Sequence, residues 1–223
     1  MKRTKMFLLS ISTMLCLAAT SALAKQPDMP EVTEDGLHLV PDSKLAIVYA
    51  EPGADLSGYQ RVMLMDAYVA FRKNWARDQR RSSVHSLRIT SNDMEKIKTD
   101  LAKEFHDVFK TTLENGGYEV VGEAAEDVLL IRPAIINLDV NAPDTPRTMG
   151  TRVYTDSAGE MTLYVELFDS VTGDMIAKAL DRRIDNQAFY TWTNSVTNKK
   201  AAEKILNGWA SILVTALNEA RDQ

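Results

Sequence analysis

The sequence predicts an α/β (α+β) domain. The expected form is a two-layer sandwich in which a mainly antiparallel sheet of about five to six strands carries two helices on one face. A signal peptide precedes it. Three observations lead there. Two long stretches carry apolar residues at three- and four-residue steps on one side only. Several shorter stretches alternate with period two or are apolar on both faces. The order runs strand, strand, helix, four strands, helix, and one-sided helices need a sheet to cover.

The first segment is an export signal. Lys2, Arg3 and Lys5 form a positive head, Met6 to Ala19 is apolar apart from Ser and Thr, and Ala22-Leu23-Ala24 supplies small residues before Lys25. The apolar run of about 14 residues falls short of the ~20 that span a bilayer. Cleavage after Ala24 leaves a periplasmic or secreted chain of 199 residues with no integral membrane span. Lipid attachment at Cys16 is the alternative, but Thr13-Met14-Leu15 places bulky residues where a small flank is needed. The mature chain has no cysteine, so packing alone must stabilise it. About 200 residues form one domain burying roughly 70% of the unfolded surface. The organisation expected is signal peptide 1–24, flexible lead-in 25–43 with Pro27 and Pro30, and a single domain over 44–223.

Lys44 to Ala50 is a short extended run ended by Pro52-Gly53. Arg61 to Phe71 is apolar on both faces except at Asp66, which predicts a central strand. A helix follows from about Asn92 to Asn115, with Asn92 and Glu95 as capping pair and Gly116-Gly117 as its end. Tyr118 to Val121 is a short strand. Asp127 to Val140 is a longer one, and Pro133 within it predicts an edge or a bulge. Asn141 to Gly159 is a long polar loop. Glu160 to Asp169 alternates, with Met161, Leu163, Val165 and Leu167 inward and Thr162, Tyr164 and Glu166 outward. The turn Ser170 to Asp174 returns the chain into Met175 to Arg183, a hairpin. Asn198 to Ala220 is the last helix, with an unexplained glycine, Gly208, inside its apolar stripe.

The formal charge of −5 becomes −8 without the three leader cations. An acidic chain is a poor general binder of nucleic acid, so none is expected. One segment departs from that balance. From Arg72 to Arg88 the cations Arg72, Lys73, Arg77, Arg80, Arg81 and Arg88 face one anion, Asp78. With Trp75 these arginines are the candidate binding residues, suited to lipid headgroups, glycan or an acidic protein.

Four motifs in order carry a resemblance. They are Asp55-Leu56-Ser57-Gly58-Tyr59, Gly117-Tyr118-Glu119-Val120-Val121, Asn141-Ala142-Pro143-Asp144, and Ala158 to Leu163 continuing through Glu166 to Gly173 with Asp181-Arg182-Arg183 after it. Together they resemble the exported bacterial proteins of domain-of-unknown-function family 3313 over about Leu37 to Leu217. Many members look like lipoproteins, a feature from which Cys16 departs. The element order is also similar to envelope α/β domains that bind other envelope proteins. The resemblance brings no catalytic residues.

No catalytic motif, cofactor loop or metal signature emerges. His38, His85 and His106 lack metal-ligand spacing, and without cysteine there is no thiolate chemistry. Asp139, Asn141 and Asp144 are spaced as oxygen ligands for calcium, but Pro143 and the missing glycine argue for an ordinary Asx turn. Glu123 and Asp127 are expected as solvated loop residues. Phe189, Tyr190 and Trp192 are expected to pack under the last helix. The leading expectation is a non-catalytic binding or accessory module for another envelope component. One alternative is a small-ligand carrier or hydrolase with its site at the 141–159 loop. Another is peripheral membrane association through residues 72–88.

Overall fold

The computed structural model describes residues 29–82, 89–141, 153–155, 159–185, 191–193 and 195–221. The main sheet contains β1 (His38–Leu39), β2 (Ile47–Ala50), β3 (Arg61–Leu64), β4 (Tyr68–Phe71), β5 (Glu119–Val120), β6 (Val128–Val140), β8 (Gly159–Asp169) and β9 (Met175–Ile184). Their order across the sheet is β1-β2-β9-β8-β6-β3-β5, and β4 runs beside β6 in continuation of β3. From β1 to β6 the neighbours are antiparallel; β3 and β4 join β6 in parallel, and β5 joins β3 in parallel. A separate two-stranded ladder pairs β7 (Val153–Thr155) with β10 (Thr191–Thr193). The helices are α1 (Trp75–Ser82), α2 (Ser91–Asn115) and α3 (Ser195–Arg221).

The α+β fold is as expected, with more strands than the sequence indicates. Arg61 to Phe71 is two strands, not one, and Pro133 provides the reason. The Met65 N–H donates to the Ile131 carbonyl at 3.0 Å. Two residues further along the same edge of β6 lies Pro133, which has no N–H to offer. The ladder lapses there and resumes at Tyr68 opposite Ala134. Pro133 is therefore neither at a sheet edge nor in a bulge. The register irregularity comes later, between Ile136 and Asp139, where Asn137 has φ 53°.

The two long helices cover one face. Leu101, Phe105, Phe109 and Leu113 of α2 and Leu206, Trp209 and Leu217 of α3 are buried with Val62, Ile131, Ile135 and Leu163 of the sheet. The Phe105 and Phe109 rings stack at 3.9 Å between centroids. Burying each such side chain contributes about 1.5–3 kcal/mol before entropy is charged. The α2 cap lies two residues earlier than expected, at Thr90 and Asp93 rather than Asn92 and Glu95. The Thr90 hydroxyl accepts from the Asp93 N–H at 3.2 Å, and the Asp93 carboxylate accepts from the Thr90 N–H at 2.9 Å.

The hairpin of β8 and β9 closes as its turn residues dictate. The Asp169 carboxylate accepts from the N–H groups of Val171 and Thr172, and Gly173 takes φ 75°. Residues 29–43, expected as lead-in, carry β1 and bury Leu37. They lie toward the helix-free face, where the Tyr49 hydroxyl donates to the Pro30 carbonyl at 2.9 Å and Lys178 pairs with Asp35. Thr162 and Glu166, read as outward, are also buried. Glu166 is covered by its own partners. Arg132 donates to it at 2.7 Å and the Tyr164 hydroxyl at 2.7 Å. Burial pushes the Glu166 carboxyl up, but the Arg132 and Tyr164 bonds outweigh that and hold it below its usual range.

Candidate functional site

The basic segment is the first candidate, and the structure divides it in two. From Trp75 onward it is helical as α1. At 3.6 residues per turn, positions 75 and 79 share one side and positions 77, 80 and 81 the other. Trp75 is 1% exposed; its ring stacks on Phe71 at 4.1 Å and its indole N–H donates to the Val140 carbonyl at 3.2 Å. The Gln79 amide donates to the same carbonyl at 3.0 Å. Arg72 donates to Asp78 at 2.7 Å and also to Asp139. These carboxylates raise the Arg72 guanidinium, and Arg72 in turn holds Asp78 below the usual carboxylate range.

Trp75 is buried and Arg72 is engaged by two carboxylates, and together they pin α1 onto the end of β6. Arg77, Arg80 and Arg81 do face solvent. Among the described residues only Arg77 of these three has a carboxylate near it, Asp78 at 3.5 Å. Arg88 lies outside the described residues, as do His85, Asp144, Phe189 and Tyr190.

The second candidate, a cleft, lies beside the first. The end of β6 that anchors α1 also forms one wall of a cleft of about 430 Å³ between α2, α3 and the start of β8. Small-molecule sites run about 300–1,000 Å³. Its floor is apolar: Ile97 and Leu101 from α2, Leu138 and Val140 from β6, Met161 from β8, and Ala202 from α3. Gly159 opens β8 there at φ 147°, with the Asp139 carbonyl so close that a Cβ would sit 1.9 Å from it.

Charged groups surround the floor. Asp100, Glu104, Asp107, Asp139, Glu160 and Asp185 line the cleft, against Lys103 and Lys199. Many are held in pairs. Glu104, with its side chain 17% exposed, meets Lys199 at 3.0 Å across the mouth. Glu160 pairs with Arg182, Asp139 with Arg72, and Asp107 with Lys103. The Lys103 bond holds Asp107 low, and the Glu104 bond holds Lys199 high.

A family model described as a protein of unknown function, DUF3313, matches residues 36–213. The chain belongs to that family. No curated protein matches it. Among solved structures, this DUF3313 protein is similar to the PelC dodecamer from Paraburkholderia phytofirmans at 12% identity and TM-score 0.40, over 74% of this chain and 95% of that one. It is similar to a DUF4136 family protein from Bacteroides thetaiotaomicron at 12% identity and TM-score 0.37, over 76% and 94% of the two chains. A DUF330 protein from Xanthomonas campestris follows at 13% identity and TM-score 0.36, over 70% and 82%.

Several residues that carry the DUF3313 resemblance do structural work. The Tyr59 hydroxyl donates to Asp169 at 2.8 Å, tying the chain before β3 to the β8–β9 turn. Asp181 accepts from the Ala46 N–H at 3.0 Å, the Trp209 indole at 2.7 Å and Arg183 at 3.0 Å, joining β2, β9 and α3. Of the other sequence candidates, Asp127 takes a bond from Arg61 Nε at 2.8 Å rather than standing free, and Asp139 is spent on Arg72. Among the described residues no three His, Cys, Asp or Glu are grouped to hold a metal ion, and no helix is long and apolar enough to cross a membrane.

Proposed function

We propose that this DUF3313 protein is an exported, non-catalytic binding module of the bacterial cell envelope, and that the outward side of α1 docks an acidic surface of another envelope protein. One observation carries the reading. Arg77, Arg80 and Arg81 stand in solvent on a helix whose other side is fixed by Trp75, Gln79 and Arg72. A solvated surface segment has no need of such an anchor. A fixed guanidinium row loses less side-chain freedom on binding carboxylates than a row on a mobile loop.

An acidic protein fits better than a bilayer. Helices that lie in a membrane surface present aromatic or aliphatic side chains to the acyl layer. Here the one such side chain of α1, Trp75, is turned inward. The paired state of Glu104, Asp139 and Glu160 also favours a binding role, since each carboxylate is committed to a cation rather than free to move a proton. Export rests on the Lys2-to-Ala24 pattern.

The test is a pull-down from envelope extracts with the wild type and with Arg77→Glu/Arg80→Glu/Arg81→Glu. Loss of a partner that the wild type retains, with an unchanged circular dichroism spectrum, is the expected result. Retention of every partner overturns the docking surface. Salt-sensitive binding of the wild type to phosphatidylglycerol vesicles, with no protein partner, replaces it with a membrane role.

A further inference from the structure

The cleft beside α1 is independent of that docking surface, because Arg77, Arg80 and Arg81 do not line it. Its apolar floor sits at the junction of three elements from distant parts of the chain. Ile97 of α2, Met161 of β8 and Ala202 of α3 meet there. Close packing normally fills such junctions. Here Ala201 and Ala202 supply small side chains where α3 faces the strand ends, and the space stays open.

Six carboxylates and two lysines line this floor, and Arg72, Arg182 and Lys96 reach three of the carboxylates from outside it. The least exposed are Asp185 at 6% for the residue and Glu104 at 17% for its side chain. Glu104 is held by Lys199, whose own side chain is 58% exposed and reaches over from α3. Lys199, the exposed partner, can swing into solvent while Glu104 stays, so a ligand cation can take the place of its ammonium at Glu104. An anionic group would have to hold Lys199, the exposed and mobile partner, in place while displacing Glu104, the more buried one.

We propose that this cleft binds a small aliphatic amine, its chain on Ile97, Leu101, Met161 and Ala202 and its ammonium on Glu104. The chain displaces water from apolar surface, and the ammonium exchanges one lysine for another cation of the same charge.

Octylammonium is the probe, titrated by calorimetry into the purified protein, with octanoate and octanol as comparisons of equal length. Saturable one-to-one binding of octylammonium is expected, at least tenfold tighter than octanoate. Glu104→Gln should weaken octylammonium about tenfold and leave octanol unchanged. Ala202→Phe should fill the floor and abolish binding of both. Glu104→Gln keeps the size of the side chain and an amide oxygen that can still meet Lys199, so it should fold, and its result stands even if Ala202→Phe does not fold. Absence of octylammonium binding, equal binding of octanoate, or indifference to Glu104→Gln overturns the proposal. None of these results depends on whether Arg77, Arg80 and Arg81 recruit a partner.

Discussion

Replacing Asp181 with alanine isolates the joint that fastens α3 to the sheet. The carboxylate accepts the Trp209 indole N–H at 2.7 Å, the Ala46 N–H at 3.0 Å and Arg183 Nε at 3.0 Å. Trp209 is 1% exposed, so its N–H has no water to turn to. A stranded buried donor costs about 1–3 kcal/mol. The Ala46 N–H is nearer solvent and adds about 0.5–1 kcal/mol. Arg183 recovers hydration and adds little. Asp181→Ala should therefore cost about 2–4 kcal/mol, a large part of the 5–15 kcal/mol typical of a whole domain. With a urea slope of about 2 kcal/mol/M, the midpoint falls by about 1–2 M. Asp181→Asn keeps one acceptor oxygen and should cost roughly half as much. Equilibrium urea unfolding checks both values. A double-mutant cycle with Trp209→Phe should show a coupling of at least 1 kcal/mol. A loss below about 1 kcal/mol for Asp181→Ala, or zero coupling, would refute the assignment of this joint.

Trp75→Ala should cost about 3–5 kcal/mol and loosen α1, read as a drop in both melting temperature and helical signal. Gly159→Ala adds strain at φ 147° and a collision with the Asp139 carbonyl, so a loss of at least 1–3 kcal/mol is expected on thermal unfolding. Gly208→Ala sets two effects against each other: the methyl gains up to about 1 kcal/mol of helix propensity but meets the Arg183 guanidinium at 2.4 Å. That guanidinium lies over the Trp209 ring and can swing outward, so the stability change should stay within about 1 kcal/mol. The Tyr59–Asp169 bond should make stability pH-dependent at both ends. Burial, then Asp169, pushes Tyr59 up to about 12. Its proton is held more tightly in the folded state, so that contribution is intact below the unfolded value near 10 and is lost as pH climbs toward 12. Asp169 is held low by its turn N–H groups and by Tyr59, so its contribution is present above the ordinary carboxyl value of 3.8 and lost on further acidification. Tyr59→Phe should shrink the alkaline loss in urea midpoints measured from pH 3 to 11. An unchanged profile would place the titration elsewhere, at Tyr164 first.

Periodicity made the scaffold legible. The α2 and α3 stripes and the β8–β9 hairpin follow from apolar spacing and turn chemistry over short stretches, which is where sequence carries most information. The break between β3 and β4 was hidden because Met65, Asp66 and Ala67 do not look like a turn; the cause sits about 70 residues away at Pro133. The anchoring contacts of Trp75 and Arg72 are illegible in the sequence for the same reason. An aromatic residue amid cations resembles a binding surface until its acceptors, the Val140 carbonyl and Asp139, are seen to come from β6. The cleft had no local signature, since Ile97, Met161 and Ala202 become neighbours only through the fold. Gly208 gains an account that helix propensity could not supply: it leaves room for Arg183.

The residues that carry the family resemblance and the arginines of the proposed docking surface occupy different places. Tyr59, Asp169 and Asp181 fasten turns and layers, so they mark a fold rather than a task. Among the described residues, the outward arginines of α1 make no ion pair apart from the Asp78 contact of Arg77. Surface substitutions of that kind usually alter stability by no more than about 0.5 kcal/mol. The charge reversal at Arg77, Arg80 and Arg81 can therefore remove a partner without removing the protein. Trp75→Ala reaches the same surface from beneath by releasing its anchor. If docking depends on arginines held in place, both variants lose the partner. If it depends on charge alone, a Trp75→Ala protein that still folds retains it, and the anchored-helix reading fails while the electrostatic one survives.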